Sequence, residues 1–567
     1  MKRVSLVLPS SDEKRSSAIS QAGAEHLGLG YIAAYLRAAG HHVDIFNMQV
    51  DNYLSYWELA EDGPAKSTDE TVAQILAAEP DVVGMSITGI TINEALRMSY
   101  RMRELRPRMP IIWGGHQAFY SARDLMEREP CVDAVVASDG EITMGRLLAA
   151  MSAGEPFDKI PGLYLRTPEG RMRYTGPPPE PALDELPEPA RDTLEEMIAR
   201  GLRVTDARIT TSRGCPFKCT FCVDPSLGYR NKWRARSADL VVEEMKHLVD
   251  RYGIEFFWFS EDNFIPSTRR GRERASRIAD LIIESGMKIG YRALMRADAI
   301  NGERALIQKM MDSGLSCVYI GVESGSPRRL EYFKKQETPE EYRAVLEMLK
   351  DLRVGLQIGF IMFDPLTTWD DLRIDGEFLH SVGQMYLYSN YCQTLDVFPG
   401  TEISMMLIQR RLLAANFSYD SPYDEYDWEI PAIGKLGKAF MRGYNEEHID
   451  ADKLFQRFAV VDLPAIWRRV RDGECSVEVA QTMQAIADQR LGQLNDGGLA
   501  FFQDALRIAE NGWDQDAFDA RRKQHLELTL GIRDAMWGDL RGRLPADVVA
   551  DITCLRGVKL GARSEFC

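Results

Sequence analysis

Residues 211–222 read Thr-Ser-Arg-Gly-Cys-Pro-Phe-Lys-Cys-Thr-Phe-Cys, and the rest of the chain is best read outward from them. Cys215, Cys219 and Cys222 share one short loop with the spacing C-x3-C-x2-C. Thiolates are soft ligands suited to iron–sulfur clusters or zinc. A structural zinc site takes four protein ligands, often from two paired knuckles. No second pair exists here: Cys317 lies far off in sequence and the nearest histidine is His247. A redox C-x2-C pair has no use for Cys215. A disulfide framework does not suit nine scattered cysteines in 567 residues. Three such thiolates can hold an iron–sulfur cluster, and a four-iron, four-sulfur one needs four ligands. Three cysteines leave one iron position for a ligand from outside the protein. Cys131, Cys317, Cys392, Cys475, Cys554 and Cys567 lack such clustering and read as small core hydrophobes or terminal thiols.

N-terminal to this loop, short apolar runs alternate with helical patterns. Val4–Leu8, Val43–Phe46, Asp81–Ser86, Ile111–Trp113 and Ala134–Ala137 read as strands; residues 28–40, 72–78 and 94–105 read as helices. Such alternation implies βαβ units and a parallel sheet. In open sheets of this kind ligands bind outside the carboxyl ends of the strands. Those ends carry Ser86-Ile-Thr88, Gly114-Gly115-His116 and Ser138-Asp-Gly140-Glu141. The run Gly176-Pro-Pro-Pro-Glu-Pro181 reads as a linker. After it the alternation resumes, with strands expected at 208–211, 256–259, 289–294, 317–322, 355–362 and 393–397. From about Tyr419 the chain reads as helical, with separate helices over 476–494 and 499–510. Trp428, Phe440, Tyr444, Phe455, Trp467 and Phe501-Phe502 read as its core, and its position suggests a cap over the barrel mouth.

The composition is that of a soluble globular protein, with 45% hydrophobic and 27% charged residues. A net charge of −16 is a poor match to nucleic acid, whose binding leans on Lys and Arg. No run of eighteen apolar residues predicts a membrane span, and Met1–Pro9 leads directly into a strand without a signal-like core. The expected location is therefore cytoplasmic and reducing.

The cysteine spacing, with Phe221 before the last cysteine, resembles the signature of the radical S-adenosylmethionine (radical SAM) superfamily. The ordered strand-end turns, together with the Leu27–Leu36 run and the Asp184–Arg191 connector, resemble the cobalamin-binding domain that precedes the radical SAM core in one large subgroup. The resemblance spans about residues 1–405 and implies a Rossmann-like, flavodoxin-like cobalamin domain (1–155), a hairpin and linker (156–200), a partial (β/α)6 barrel (201–418) and a helical C-terminal domain (419–567).

It also implies that Cys215, Cys219 and Cys222 hold the [4Fe–4S] cluster. Ser260, Glu261 and Asp262 would contact the SAM amino group, where Gly-Gly-Glu is often found elsewhere. Glu323 and Ser324 match a Glu-Ser-Gly element near SAM, and Arg296 is a candidate for the SAM carboxylate. Ser86, Thr88, Gly114, Gly115, His116, Gly140 and Glu141 would line the cobalamin. None of the eight histidines follows an Asp by two residues, so the Asp-x-His-x-x-Gly lower-ligand motif is absent and cobalamin is expected to bind without a histidine on its lower face. The common Gly-x-Pro-Gly-Glu-Thr turn is replaced by Phe363-Asp-Pro-Leu-Thr-Thr-Trp369, whose bulk is expected to reshape the pocket.

The implied activity is methyl transfer from SAM through methylcobalamin to an unactivated carbon, or a phosphorus, of a small-molecule substrate. An external donor of flavodoxin or ferredoxin type would supply the electron. Oxidative cyclisation or rearrangement without methylation stays open, as does a non-catalytic iron–sulfur or corrinoid-binding protein.

Overall fold

β1 (Arg3–Leu8) is buried along nearly its whole length because both its faces are covered, as parallel sheets require. It pairs in parallel with β2 (His42–Asn47) on one side and β3 (Val82–Ser86) on the other. β4 (Ile111–Gly114) and β5 (Ala134–Val136) continue the sheet in parallel. The hairpin β6 (Leu163–Arg166) and β7 (Met172–Tyr174) then closes it antiparallel, giving the order β2-β1-β3-β4-β5-β6-β7. The hairpin expected in the connector is thus part of the first sheet. The order 2-1-3-4-5 is that of flavodoxin-like sheets, whose ligand crevice lies at the β1/β3 switch point. This computed structural model describes residues 1–10, 25–51, 66–224 and 232–552.

The second sheet is wholly parallel. β8 (Asp206–Ile209), β11 (Phe256–Phe259), β12 (Gly290–Met295), β13 (Leu315–Glu323) and β14 (Gly355–Phe360) lie in the order β14-β13-β12-β11-β8. Its outer face is a continuous apolar core that includes Ala207, Ile209, Phe257, Ala293, Val318 and Ile320. The sixth strand expected at 393–397 is reduced to a single parallel bridge, Phe363 to Thr394. Between β8 and β11, the short antiparallel pair β9 (Ser212–Arg213) and β10 (Arg234–Ala235) brackets the cysteine loop.

The C-terminal helices depart from the sequence expectation in two ways. The two helices expected at 476–494 and 499–510 are one, Val477–Glu510. The Gly497-Gly498 pair lies between the two expected segments and permits a close approach: a Cβ on Gly498 would lie 2.3 Å from the Met385 carbonyl oxygen. A second long helix, Gln515–Arg543, packs along the first. The helical region does not sit over the barrel mouth as a whole. Gly355, at the start of β14, would meet the Val460 carbonyl oxygen 2.3 Å from an added Cβ. Residues 461–471 also line a crevice with Phe256, Leu315 and Ser316, so this part closes the amino ends of the strands. The strap at 418–423 reaches the other end. There Asp420 pairs with Arg128 at 2.7 Å, Tyr419 bonds Glu129, and the Tyr423 ring abuts Gly89.

The two glycines in one helix give a paired prediction. Gly492, around which the space is open, should gain about 1 kcal/mol on substitution by alanine. Gly498→Ala should lose about 1–3 kcal/mol, because the opposing atom belongs to the backbone and cannot swing away. Thermal unfolding of the two variants should therefore move in opposite directions.

Candidate active site

The carboxyl ends of β1, β3, β4 and β5 face the barrel mouth across one cleft of about 390 Å³. Ser86, Thr88, Gly114, Gly115, His116, Gly140 and Glu141 line it from the first sheet, and Ser260, Glu261 and Asp262 line it from the end of β11. Residues distant in sequence, singled out for two different cofactors, thus share one space. Arg296, Glu323, Ser324 and the three cysteines lie outside that lining.

The first-sheet wall is shaped by backbone as much as by side chains. Gly115 has φ +89°, and a Cβ there would stand 2.7 Å from the Ile87 carbonyl oxygen, so the β4 turn needs glycine. A Cβ on the neighbouring Gly114 would meet nothing closer than 3.9 Å. The bare turn leaves room for a flat ligand against the backbone. His26, which the sequence reading passed over, also lines the cleft. It caps helix Leu27–Ala38: Nδ1 accepts the Leu29 N–H at 3.1 Å, so Nε2 carries the proton and donates to Ser86 Oγ at 3.0 Å. Burial pulls its pKa down to about 4, which keeps the ring neutral. Both nitrogens are committed. Its place directly before the Leu27–Leu36 run is the only sequence signal it carried.

Glu141 is buried and turned toward the barrel. Its Oε1 accepts from Arg213 at 2.8 Å, while Oε2 has no hydrogen-bond partner. Burial pushes its carboxyl pKa up, and the Arg213 charge opposes that shift. Arg213 also stands 3.3 Å from Asp139, and Arg234, its partner across β9 and β10, stands 2.7 Å from Asp139. The residue immediately before Gly214-Cys215 is therefore tied to the β5 turn of the other domain.

The cysteine loop is held on three sides. Thr220 donates its N–H to the Phe333 carbonyl at 3.1 Å and its hydroxyl to the Tyr332 carbonyl at 2.9 Å, and its own carbonyl accepts from Ile403. Phe221 packs edge-on against Phe333. Phe217 lies under the Arg296 guanidinium, 3.6 Å from ring centre to charge. All three cysteines are half-buried and free of disulfides. Burial pushes the Cys215 thiol up to about 11; at Cys219 burial also raises the pKa, opposed by Lys335 and Arg296. Binding metal as thiolates must therefore release protons, and those two cations would offset the charge left behind. Among the described residues no three His, Cys, Asp or Glu side chains close on one ion position. A four-iron cluster does not require that, since each thiolate takes its own iron.

The residues expected around SAM divide. Asp262 is exposed and close enough to Cys215 and Cys222 for its charge to raise both thiol pKa values. Glu261 is buried, accepting from Thr211 Oγ1 at 2.5 Å and from the Thr211 N–H at 3.3 Å. Ser260 is exposed and donates to the Trp258 carbonyl at 3.3 Å. Glu323 occupies φ +68° at the end of β13, with Lys335 at 3.7 Å. Ser324 is fully buried and donates to Asp375 at 2.8 Å. Arg296 is committed to Glu337 at 2.9 Å, Asp298 at 3.1 Å and the Lys335 carbonyl at 2.6 Å. The Phe363–Trp369 turn folds inward: Phe363, Asp364, Leu366 and Thr367 are buried, so its bulk fills the core.

Comparison with known families accords with this geometry. Residues 21–148 match the B12 binding domain, and residues 209–379 match the radical SAM superfamily. The chain carries a B12 binding domain followed by a radical SAM domain. It is 29% identical to an uncharacterised methyltransferase of Pyrococcus horikoshii, over 72% of this chain and 84% of that one. It is 24% identical to an anaerobic magnesium-protoporphyrin IX monomethyl ester cyclase of Rubrivivax gelatinosus, over 59% of this chain and 58% of the relative. Its fold matches that of the cobalamin-dependent S-adenosylmethionine radical enzyme OxsB with aqua-cobalamin bound, at a TM-score of 0.68 and 18% identity, covering 97% of this chain and 83% of that one.

Burial holds the Glu261 carboxyl up at about 7, against an ordinary 4.5, with Thr211 and Arg274 pulling the other way. A carboxyl raised in the folded state favours folding fully below pH 4.5, and that contribution is lost as pH rises through about 7. Glu261→Gln should therefore match the parent near pH 5 and be more stable at pH 8, by up to about 3 kcal/mol. Unfolding temperatures of both proteins across that range check it.

Proposed function

We propose that this protein is a cobalamin-dependent radical SAM methyltransferase, moving a methyl group from SAM by way of cobalamin to an unactivated carbon, or a phosphorus, of a small molecule. The observation that carries this reading is the single cleft on which the B12-type strand ends and the barrel mouth both open. Methyl transfer between a corrin and a substrate radical needs both reacting centres held near contact. A shared cleft supplies that placement; two separate pockets would not.

The residues present fit the groups required. The bare Gly114-Gly115 turn and the unpartnered Glu141 oxygen suit a broad ligand edged with amide donors, as a corrin is. Cys215, Cys219 and Cys222 would hold the cluster, beside the Lys335 and Arg296 charges. When bound, the cluster and SAM supply a carbon radical and the corrin supplies the methyl group. Asp262, exposed beside the cysteine loop, is the carboxylate we assign to the SAM amino group. Glu261, tied to Thr211, orients the strand end on the cobalamin side. The strap at 418–423 covers the rim near Thr88 and limits water at the cleft. An external one-electron donor completes the cycle.

The relative named as a cyclase supports a second reading, oxidative ring formation without methylation. Anaerobic reconstitution with iron, sulfide and hydroxocobalamin should leave about four irons and one corrin per chain after desalting. Cys219→Ala should lose most of the iron yet keep the corrin. Turnover with methyl-deuterated SAM then decides between the readings: a product heavier by one labelled methyl supports transfer, and a product lighter by two hydrogens supports the cyclase reading. Iron without retained corrin would sink both.

A further inference from the structure

Three neighbouring strands place one row of side chains on the inner face of the barrel. Arg208 on β8 pairs in register with Trp258 on β11, which pairs in register with Arg292 on β12. The alternate residues Ala207, Ile209, Phe257 and Ala293 belong to the outer core, so the row faces inward. Strand spacing puts the two arginine backbones about 10 Å apart, with the indole between them. The Arg292 guanidinium lies between two rings, 5.3 Å from Trp258 and 5.1 Å from Tyr319. Its Nε is buried without a hydrogen-bond partner.

Neither arginine forms an ion pair among the described residues, although most other buried arginines here do. The nearby carboxylates each hold another partner, and Asp206 and Glu25 act on Arg208 through their charge rather than as ion pairs. Asp206 accepts the Trp258 indole N–H at 3.0 Å, Glu25 is held by Arg191 at 2.6 Å, and Glu323 stands 3.7 Å from Lys335. Burial lowers the Arg208 pKa, the Asp206 and Glu25 charges oppose that shift, and the Arg292 charge adds a smaller lowering. Arg208 also lines the cleft, so the row begins at the space shared by the two domains and runs into the barrel. Two like charges on one inner face, set either side of an indole and without an ion-paired carboxylate among the described residues, favour an oxyanion bound beside them.

We propose that Arg208 and Arg292 form the substrate-anchoring site of this barrel and select a substrate bearing a carboxylate or phosphate-type anion, with Trp258 and Tyr319 as its aromatic walls. Guanidinium forks match the planar edge of such oxyanions, and rings on either side hold one fork at a fixed angle. The proposal rests on the reading above, since it takes the barrel lumen as the place where substrate meets the radical.

The test uses the reconstituted holoprotein with SAM bound, titrated calorimetrically with phenylphosphonate and, as the uncharged control, benzamide. The expected result is saturable binding of phenylphosphonate and none of benzamide. Arg292→Gln and Arg208→Gln should each weaken it about 10- to 100-fold, the cost of one hydrogen bond to a charged group, and Arg292→Lys should recover part of the loss. Two other anions could claim the pair. If the Gln variants weaken SAM binding by the same factor and phenylphosphonate competes with SAM, the pair holds the SAM carboxylate and the proposal fails. If phenylphosphonate binds only when cobinamide, which lacks the nucleotide phosphate, replaces cobalamin, the pair serves the cofactor phosphate and the proposal fails. Equal binding of phenylphosphonate and benzamide also overturns it. Loss of iron or corrin from the parent protein would instead strike the functional reading, and metal and corrin counts taken before titration keep the two failures apart.

Discussion

Buried arginine–carboxylate pairs hold the two domains together beside the cleft, and its walls are fixed because they do. Arg191, the last residue of the Asp184–Arg191 connector, reaches Glu25 of the first domain at 2.6 Å and Glu244 of the barrel helix Ala238–Tyr252 at 2.5 Å. Arg236 shares Glu244 and also reaches the Tyr31 hydroxyl at 3.3 Å. Arg213 and Arg234 repeat the arrangement at the cysteine loop with Asp139 and Glu141. Such pairs recover little net stability, since desolvation offsets attraction. Removing one partner, however, strands a buried charge at a cost of about 3–5 kcal/mol. The seam therefore tolerates few relative positions of the two domains, and a shared cleft between rigid walls is the outcome.

A second buried network sets the far wall of the barrel. Arg329 is fully buried and pairs with Asp364 at 2.7 Å and with Asp375. Asp375 in turn accepts from Ser324 Oγ, the Gly325 N–H and the Ser326 N–H. The Glu323-Ser-Gly-Ser turn is thereby clamped from behind, which allows Glu323 to keep a positive φ at the strand end. Ser324 and Asp364 belong to this clamp. The Phe363–Trp369 turn that replaces a glycine-rich one supplies Asp364, so the change of sequence reads as a change of internal bracing.

The five parallel strands of the first sheet and five of the six barrel strands were legible because buried parallel strands are short apolar runs between breakers, a local signal. The cysteine loop was legible because its ligands are consecutive. What escaped depends on distant partners. The helix Val477–Glu510 reads as two segments until Met385 is placed against Gly498. Gln515–Arg543 carries charge around most of its circumference, so no apolar stripe announces it. Glu141 reads as a strand-end acceptor until Arg213 arrives from the other domain. Arg208 and Arg292 read as ordinary strand residues until β11 is set between them. In each case the deciding neighbour lies far away in sequence, which periodicity and spacing do not encode.

The chain carries a net charge of −16, yet the row inside its barrel is cationic. An acidic exterior repels anions at long range, but at physiological salt that field decays over about 8 Å. Attraction inside a half-buried lumen is screened far less. The two arginines can therefore act only on a molecule that has already entered, and their contribution falls on retention and orientation rather than on the rate of encounter. That division suits chemistry in which a reactive intermediate must meet one chosen atom: a substrate fixed through its anion at Arg208 and Arg292 presents its remaining atoms to the mouth, where the shared cleft opens. The buried seam positions the reacting groups relative to one another, and the unpaired charges position the substrate relative to both.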